Sequence, residues 1–258
     1  MKFVARIAAT LVLAAAASTG AAAKDWKTVR IGTEGAYPPF NYVENNELKG
    51  FDIDIGKALC EKMKVTCTFV AQDWDGIIPA LMAGKYDAIV ASMSITEERQ
   101  KQISFSKKYY KTPATFAVPK DSKLTETSPA ALKGKVLGAQ ASTIHSNYLE
   151  DIYGKAGAEV KLYGKQDEAN LDLANGRLDA VLADKVVLLE WLNSKDGGCC
   201  KFVGAEYTDA KYFGEGVGVG IRKADTDLVA LFNKAIDEII ADGTYKKIND
   251  KYFPFSVY

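Results

Sequence analysis

The feature that most constrains the fold is a strand–helix–strand pattern that occurs twice along the chain. Each copy contains a short glycine motif, which reads AGKYDAI over residues 83–89 and NGRLDAV over residues 175–181. The glycine is typical of a helix C-terminus, and the apolar run after it is typical of a buried strand. Alternating strands and helices favour parallel sheets covered by helices. The repeat therefore predicts an α/β protein of two similar lobes, with a ligand between them.

Apolar periodicity predicts the individual elements of both lobes. We expect strands at residues 28–33, 65–70, 86–91, 115–118, 136–139, 160–163, 178–183 and 216–221. We expect helices at residues 51–63, 74–83, 167–175 and 185–192, one that starts at Ser142, and two more that end near residue 251.

No low-complexity linker separates the two lobes. We therefore expect two extended crossovers between them, near residues 110–114 and 208–216. These crossovers place lobe 1 at residues 24–112 and 215–258. Lobe 2 then comprises residues 113–214, including the hinge crossovers.

Residues 1–23 have the composition of a secretory signal peptide. Lys2 and Arg6 precede an apolar run over residues 7–17, and the three alanines at 21–23 fit the small-residue rule for cleavage. The alternative is an N-terminal membrane anchor, but the run is short for one and rich in weakly apolar alanine. We therefore expect a cleaved signal peptide and an exported mature chain.

Export places the four cysteines in an oxidising compartment, where disulfides persist. Cys60 and Cys67 flank the end of a predicted helix, and their spacing favours a bond that closes a small loop over two free thiols. Cys199 and Cys200 are adjacent, and a ring between neighbours is strained. For these two cysteines, two alternatives stay open: free thiols, or an exposed redox-labile pair. With one histidine in the chain, we expect no metal centre.

Composition excludes several classes of protein. The chain has 33 Lys and Arg against 33 Asp and Glu, whereas nucleic-acid binders usually have a basic excess. A hydrophobic content of 48% is ordinary for a globular protein and argues against disorder. We find no Ser-His-Asp order, HExxH sequence or Gly-rich phosphate loop.

Five segments resemble, in the expected order, the polar amino-acid class of periplasmic substrate-binding proteins, the type II "Venus flytrap" receptors of ABC importers. They are IGTEGAYPPF at 31–40, GFDIDI at 50–55, DWDGIIP at 73–79, SMSITEER at 92–99 and YFGEGVGVG at 212–220. The chain looks most similar to the lysine/arginine/ornithine, histidine and opine binders. The resemblance implies two α/β lobes, each a mostly parallel sheet flanked by helices. It also implies a monomer that binds an amino acid, needs no cofactor and serves a membrane permease.

The resemblance implies roles for individual residues. Arg99 matches the family's carboxylate-binding arginine, although its charged neighbours by themselves indicate a surface residue. Ser92 and Ser94 match family residues that contact the same end of the ligand. The alternative is that they cap the end of a strand. Thr143 would bind the carboxylate or only cap a helix. Asp184 matches the acid that receives the α-ammonium, and it can cap the next helix as well.

By the same match, specificity for the ligand side chain lies with Glu34, Tyr37 and Trp74, and Gln140 and His145 are further candidates. A carboxylate can pair with a cationic group, and an aromatic ring can stack on it. Each residue also has a structural interpretation. Glu34 would be a loop acid, Tyr37 would pack over a proline turn, and Trp74 would anchor a core. His145 would lie on a helix face.

Two positions depart from the basic amino-acid binders. Ala91 stands where they carry serine, and Ile144 where they carry a hydroxyl residue, which leaves room for a longer or more apolar guanidinium ligand. We therefore expect a receptor for a cationic L-amino acid of the arginine, ornithine, lysine or histidine type. An opine receptor is the first alternative. An enzyme like the dehydratases of the same fold is the second, with Glu34, His145 or Asp184 as its base.

Overall fold

The structure, a computed structural model, describes residues 24–258. The predicted signal peptide, residues 1–23, lies outside the described residues. The strands are β1 (Thr28–Thr33), β2 (Ala36–Tyr37), β3 (Asn41–Glu44), β4 (Glu47–Lys49), β5 (Thr66–Ala71), β6 (Ala88–Ile89), β7 (Ser104–Tyr110), β8 (Ala114–Pro119), β9 (Val136–Gln140), β10 (Glu159–Tyr163), β11 (Ala180–Asp184), β12 (Cys200–Tyr207) and β13 (Val217–Ile221). The helices are α1 (Phe51–Met63), α2 (Ile77–Met82), α3 (Glu97–Gln102), α4 (Ile144–Tyr148), α5 (Gln166–Ala174), α6 (Lys185–Asn193), α7 (Ala210–Phe213), α8 (Thr226–Ala241) and α9 (Thr244–Tyr252).

Two five-stranded sheets have the same arrangement. The strand order is β5-β1-β6-β13-β7 in the first sheet and β10-β9-β11-β8-β12 in the second. In each sheet four strands point the same way, and one strand, β13 or β8, runs against them. The reversed strand is the one that the chain enters from the other lobe, because β8 follows β7 and β13 follows β12. The prediction of two α/β lobes with mostly parallel sheets is confirmed.

Each lobe buries its own apolar core. In the first lobe, α1 and α8 pack together against the sheet, and Ile31, Leu59 and Phe232 are fully buried. In the second lobe, Phe116 and Leu182 are fully buried in the core. Burying one such side chain stabilises the fold by about 1.5–3 kcal/mol. The two cores hold each sheet rigid, and the strand ends that carry the site are fixed by them.

Most predicted elements are present, and the differences have physical reasons. The strand predicted at 86–91 is only two residues long, and the chain bends at Ala91 and Ser92, which line the cleft between the lobes. The small antiparallel sheet β2-β3-β4 was not predicted from the sequence, and neither were β7, β12, α3 and α7. These segments are too short or too polar to display a clear hydrophobic periodicity.

The predicted disulfide between Cys60 and Cys67 is present, with the two Cα atoms 6.1 Å apart. It ties the end of α1 to β5, the outer strand of the first sheet. The neighbouring Cys199 and Cys200 are also paired. No helix among residues 24–258 is long and apolar enough to cross a membrane.

Candidate ligand-binding site

A cavity lies between the two lobes. All ten residues that the sequence analysis proposed for the site line this cavity: Glu34, Tyr37, Trp74, Ser92, Ser94, Arg99, Gln140, Thr143, His145 and Asp184. The structure therefore brings them together, and contact with a ligand stays a prediction for each.

Several of these residues converge because they lie at or after the carboxyl ends of strands. Glu34 follows β1 and Ser92 follows β6 in the first sheet. Gln140 and Asp184 are the last residues of β9 and β11 in the second. Ligands of α/β sheets bind outside the carboxyl ends of the strands. Here the two sheets present these ends to the same cavity.

Arg99 supplies a positive charge to the cavity. It lies in α3, and its Nη1 donates a hydrogen bond to the Ser94 carbonyl at 3.0 Å. Its Cζ lies 5.2 Å from the ring centroid of Trp74. No carboxylate among residues 24–258 lies within ion-pair distance of it. Desolvation lowers the pKa of Arg99 to about 10, so the guanidinium is charged at neutral pH and is free to pair with an anion.

Glu34 and Asp184 supply two carboxyl groups. Desolvation raises the pKa of Glu34 to about 7 and that of Asp184 to about 6. Nε2 of Gln140 donates to Oε1 of Glu34 across the cleft at 2.5 Å. Asp184 accepts a hydrogen bond from the backbone N–H of Val186 at 2.8 Å, so it caps α6 and lines the cavity at once. Both carboxylates would gain from a bound cation, because burial has removed water from them.

Tyr37, Trp74 and His145 are the ring side chains of the predicted set, and all three are buried. Nε1 of Trp74 donates to the carbonyl of Ser142 in the other lobe at 2.9 Å. Burial lowers the pKa of His145 to about 3, so its imidazole is neutral at physiological pH. The ring packs against Phe213 with centroids 6.1 Å apart. His145 therefore faces the cavity as an uncharged group.

The hydroxyls of Thr143 and Ser92 already have protein partners. Thr143 donates to the Gln140 carbonyl at 2.7 Å and accepts from the Ser146 N–H at 3.1 Å, so it caps α4. Ser92 donates to Asp52 at 2.9 Å. Each hydroxyl has used its single proton and keeps only acceptor capacity for a ligand.

The crossovers and the first residue of β13 contribute cavity residues that were not assigned to the site from the sequence. They are Tyr110, Lys111, Thr112, Ala114, Thr208, Phe213, Gly216 and Val217. The sequence contained a usable signal, because crossovers were predicted at 110–114 and 208–216, and chain that passes between two lobes must border the space between them. Ala91 and Ile144, the two departures from the basic amino-acid binders, also line the cavity.

Two similar lobes, two crossovers and a charged cavity between them define a two-lobed binding protein for a small polar molecule. Residues 24–258 contain no group of three or more His, Cys, Asp or Glu side chains that could hold a metal ion. The chain belongs to the bacterial extracellular solute-binding proteins, family 3, which match residues 29–255. The family predicted from the five sequence segments is confirmed.

Several relatives are similar over nearly the whole chain. The L-arginine-binding protein of Pseudomonas aeruginosa is 50% identical over 234 residues, covering 90% of each chain. The lysine/arginine/ornithine-binding periplasmic protein of Escherichia coli is 44% identical over 248 residues, covering 95% of this chain and 94% of its own. The structure of an ancestral arginine-binding protein bound to arginine has a TM-score of 0.81 at 39% identity, covering 88% of this chain and 98% of its own. All three are binding proteins, in agreement with the prediction of a receptor and not an enzyme.

Proposed function

We propose that this protein is a periplasmic receptor that binds a cationic L-amino acid and delivers it to the permease of an ABC importer. The observation that carries the proposal is a set of three groups in the cavity, one guanidinium without a carboxylate partner and two desolvated carboxyl groups, which lie there together with Lys111. A cationic amino acid has one negative and two positive groups, which is the complementary set. The relatives named for arginine and for lysine/arginine/ornithine support the same ligand class.

In the proposed complex, Arg99 takes the α-carboxylate of the ligand. Only its Nη1 has a protein acceptor among the described residues, so the remaining N–H groups can form the paired bonds that a carboxylate accepts. Asp184 takes the α-ammonium, and Glu34 takes the cationic side chain. Trp74, and Tyr37 less directly, stack against that side chain.

Contacts to both lobes would couple binding to closure. A ligand shifts the open–closed equilibrium only by its preference for one state. We propose that lobe 1 comprises residues 24–112 and 215–258, and lobe 2 residues 113–214, a division supported by the strands of the two sheets. Lobe 1 would then contribute Glu34, Tyr37, Trp74, Ser92, Ser94 and Arg99, and lobe 2 would contribute Thr143 and Asp184.

The proposal includes export and a membrane partner. The signal-peptide pattern of residues 1–23 supports cleavage and release into the periplasm, where the Escherichia coli relative is placed by its name. The partner would be an ABC permease that recognises the closed, loaded monomer. An opine is the second candidate ligand, favoured by the apolar side chains of Ala91 and Ile144 in the cavity wall.

Calorimetric titration of the mature protein tests the proposal. The protein is unfolded and refolded first to remove any ligand that was carried through purification. It is then titrated with arginine, lysine, ornithine, histidine, octopine, nopaline, glutamine and glutamate. We expect arginine or an arginine-derived opine to bind more tightly than lysine, since only a guanidinium presents two parallel N–H groups to Glu34. Tighter binding of glutamine or glutamate than of any cationic ligand would overturn the proposal.

A further inference from the structure

The segment GFDIDI at residues 50–55 contains two aspartates that the proposed site does not use. Both lie in the first turn of α1. Asp52 is fully buried. Asp54 is partly exposed and accepts hydrogen bonds from Lys251 Nζ at 2.6 Å and Tyr252 Oη at 2.8 Å, both in α9. Two carboxylates of one helix turn thus have different partners, and only one of them points into the lobe.

Asp52 accepts three side-chain hydrogen bonds. Its Oδ2 accepts from Asn41 Nδ2 at 2.8 Å and from Ser92 Oγ at 2.9 Å. Its Oδ1 accepts from Tyr109 Oη at 2.7 Å. Hydrogen bonds to a carboxylate are strong, and a donor left unpaired in a buried site is costly. Asp52 therefore fixes the positions of all three donors.

Each of the three donors belongs to a segment that reaches the cavity. Ser92 lines the cavity itself, and its φ of 54° is in the left-handed region that serine seldom adopts. Asn41 also accepts, through Oδ1, a hydrogen bond from the N–H of Gly35 at 2.8 Å. Tyr109 immediately precedes Tyr110, where the crossover begins to line the cavity.

We propose that Asp52 is a positioning residue for the ligand site. It sets the loop after β1, which carries Glu34, through Asn41. It holds Ser92 directly and anchors the first crossover through Tyr109. Asp52 does not line the cavity, so it acts through the geometry that these segments present to the ligand. This inference rests on the proposed function, because positioning can affect affinity only if the cavity binds a ligand.

Asp52→Ala and Asp54→Ala form a matched pair that tests the role. Each removes one carboxylate from the same helix turn, and only Asp52 is linked to the cavity. We expect Asp52→Ala to raise the Kd for arginine on the order of tenfold or more, since three buried donors lose their acceptor. Asp54→Ala should stay within about twofold of the wild-type Kd, because its partners lie in α9. Equal Kd values for the two variants would overturn the proposal.

Tyr109→Phe and Tyr252→Phe form a second pair, which decides the question if Asp52→Ala does not fold. Each deletes one hydroxyl that donates to one of the two aspartates. We expect the Kd for arginine to rise about threefold or more in Tyr109→Phe and to change less than about twofold in Tyr252→Phe. Equal Kd values for these two variants would also overturn the positioning role.

Hydrogen exchange of the ligand-free protein separates this inference from the proposed function. In Asp52→Ala the Gly35 amide should exchange on the order of tenfold faster than in the wild type, because Asn41 is no longer held. In Asp54→Ala the rate should be unchanged. If wild-type protein binds no cationic amino acid, the proposed function fails, while the Gly35 rate still decides the positioning role. An unchanged rate in Asp52→Ala would contradict it.

Discussion

At the scale of single residues, three charged side chains of the predicted site, together with Lys111, distinguish this cavity from a neutral one. Arg99 carries an unpaired positive charge, while Glu34 and Asp184 have pKa values raised by burial. The sequence by itself could not predict this, because the neighbours of Arg99 in α3 are exposed and charged. The family resemblance identified all three residues, and only the fold reveals how far each is removed from water.

Replacing Arg99 with alanine should abolish measurable binding of arginine. The loss corresponds to about 2–5 kcal/mol, since the ligand carboxylate would be buried without its charged partner. Lys101→Ala is the matched control, because it removes a positive charge from an exposed position of the same helix. Calorimetry and circular dichroism report affinity and fold. Binding by Arg99→Ala within threefold of the wild type would remove Arg99 from the site.

The variant Glu34→Gln should bind arginine much more weakly than the wild type does. Its affinity for free glutamine should be nearly unchanged or improved. The variant preserves the shape of the side chain but removes the charge that attracts a cationic group. Competition between arginine and glutamine, followed by calorimetry, measures the ratio of the two affinities. An equal loss for both ligands would mean that Glu34 supports the fold and does not select the ligand.

Affinity for a cationic ligand should fall as the pH is lowered from 8 to 5. In the free protein the pKa of Glu34 is about 7 and that of Asp184 about 6, so both carboxyl groups become protonated over this range. A cation binds the ionised forms, and binding releases protons. We expect at least about a tenfold rise in Kd, because each neutralised group loses its attraction for the ligand. Glu34→Gln should show a shallower dependence near pH 7, and a pH-independent Kd in the wild type would contradict these assignments.

The same pKa shifts have the opposite effect on the ligand-free protein. A carboxyl group with a raised pKa binds more protons in the folded state than in the unfolded one. The pKa is 4.5 for an ordinary glutamate and about 7 for Glu34 in the folded protein. Between these two pH values, the free energy of unfolding falls as the pH rises. Because arginine is expected to bind more tightly at pH 8, the thermal shift that it causes should be larger at pH 8 than at pH 5, as measured by calorimetric melting. A larger shift at pH 5 would contradict the sign of both assignments.

At the scale of elements, the disulfide between Cys60 and Cys67 joins α1 to the outer strand of the first sheet. It lies away from the cavity-lining segments. The Cys60→Ser, Cys67→Ser double variant should lower the free energy of unfolding by roughly 2–3 kcal/mol, from the added loop entropy of the unfolded chain. Affinity for arginine should change little. Alkylation of both thiols in native protein without reductant would show that the bond does not form.

Elements with long apolar runs could be predicted from the sequence, and elements held by tertiary contacts could not. The bounds of α1 and β1 agree with the prediction because their apolar spacing is regular. β7 and β12 were missed because each combines polar residues with irregular burial. Each is the edge strand beside a reversed neighbour, β13 or β8, so long-range pairing defines both. Cavity residues of the crossovers were missed for a related reason, since their place depends on how the lobes are joined.

At the scale of the whole molecule, the two lobes are joined by direct hydrogen bonds as well as by the crossovers. Gln140 donates to Glu34 and Trp74 donates to the Ser142 carbonyl, each across the cleft. These contacts place groups of both lobes around one cavity. A ligand that binds between them would add its own contacts to the closed arrangement and favour it further.

A crystal structure of the refolded protein with arginine tests the central claim most directly. We expect the ligand in the cavity between the lobes, with its α-carboxylate on the guanidinium of Arg99 and its α-ammonium at Asp184. The ligand guanidinium should lie at Glu34, against the ring of Trp74. Arginine bound outside this cavity, or bound inside it with the carboxylate directed toward Glu34, would contradict the account.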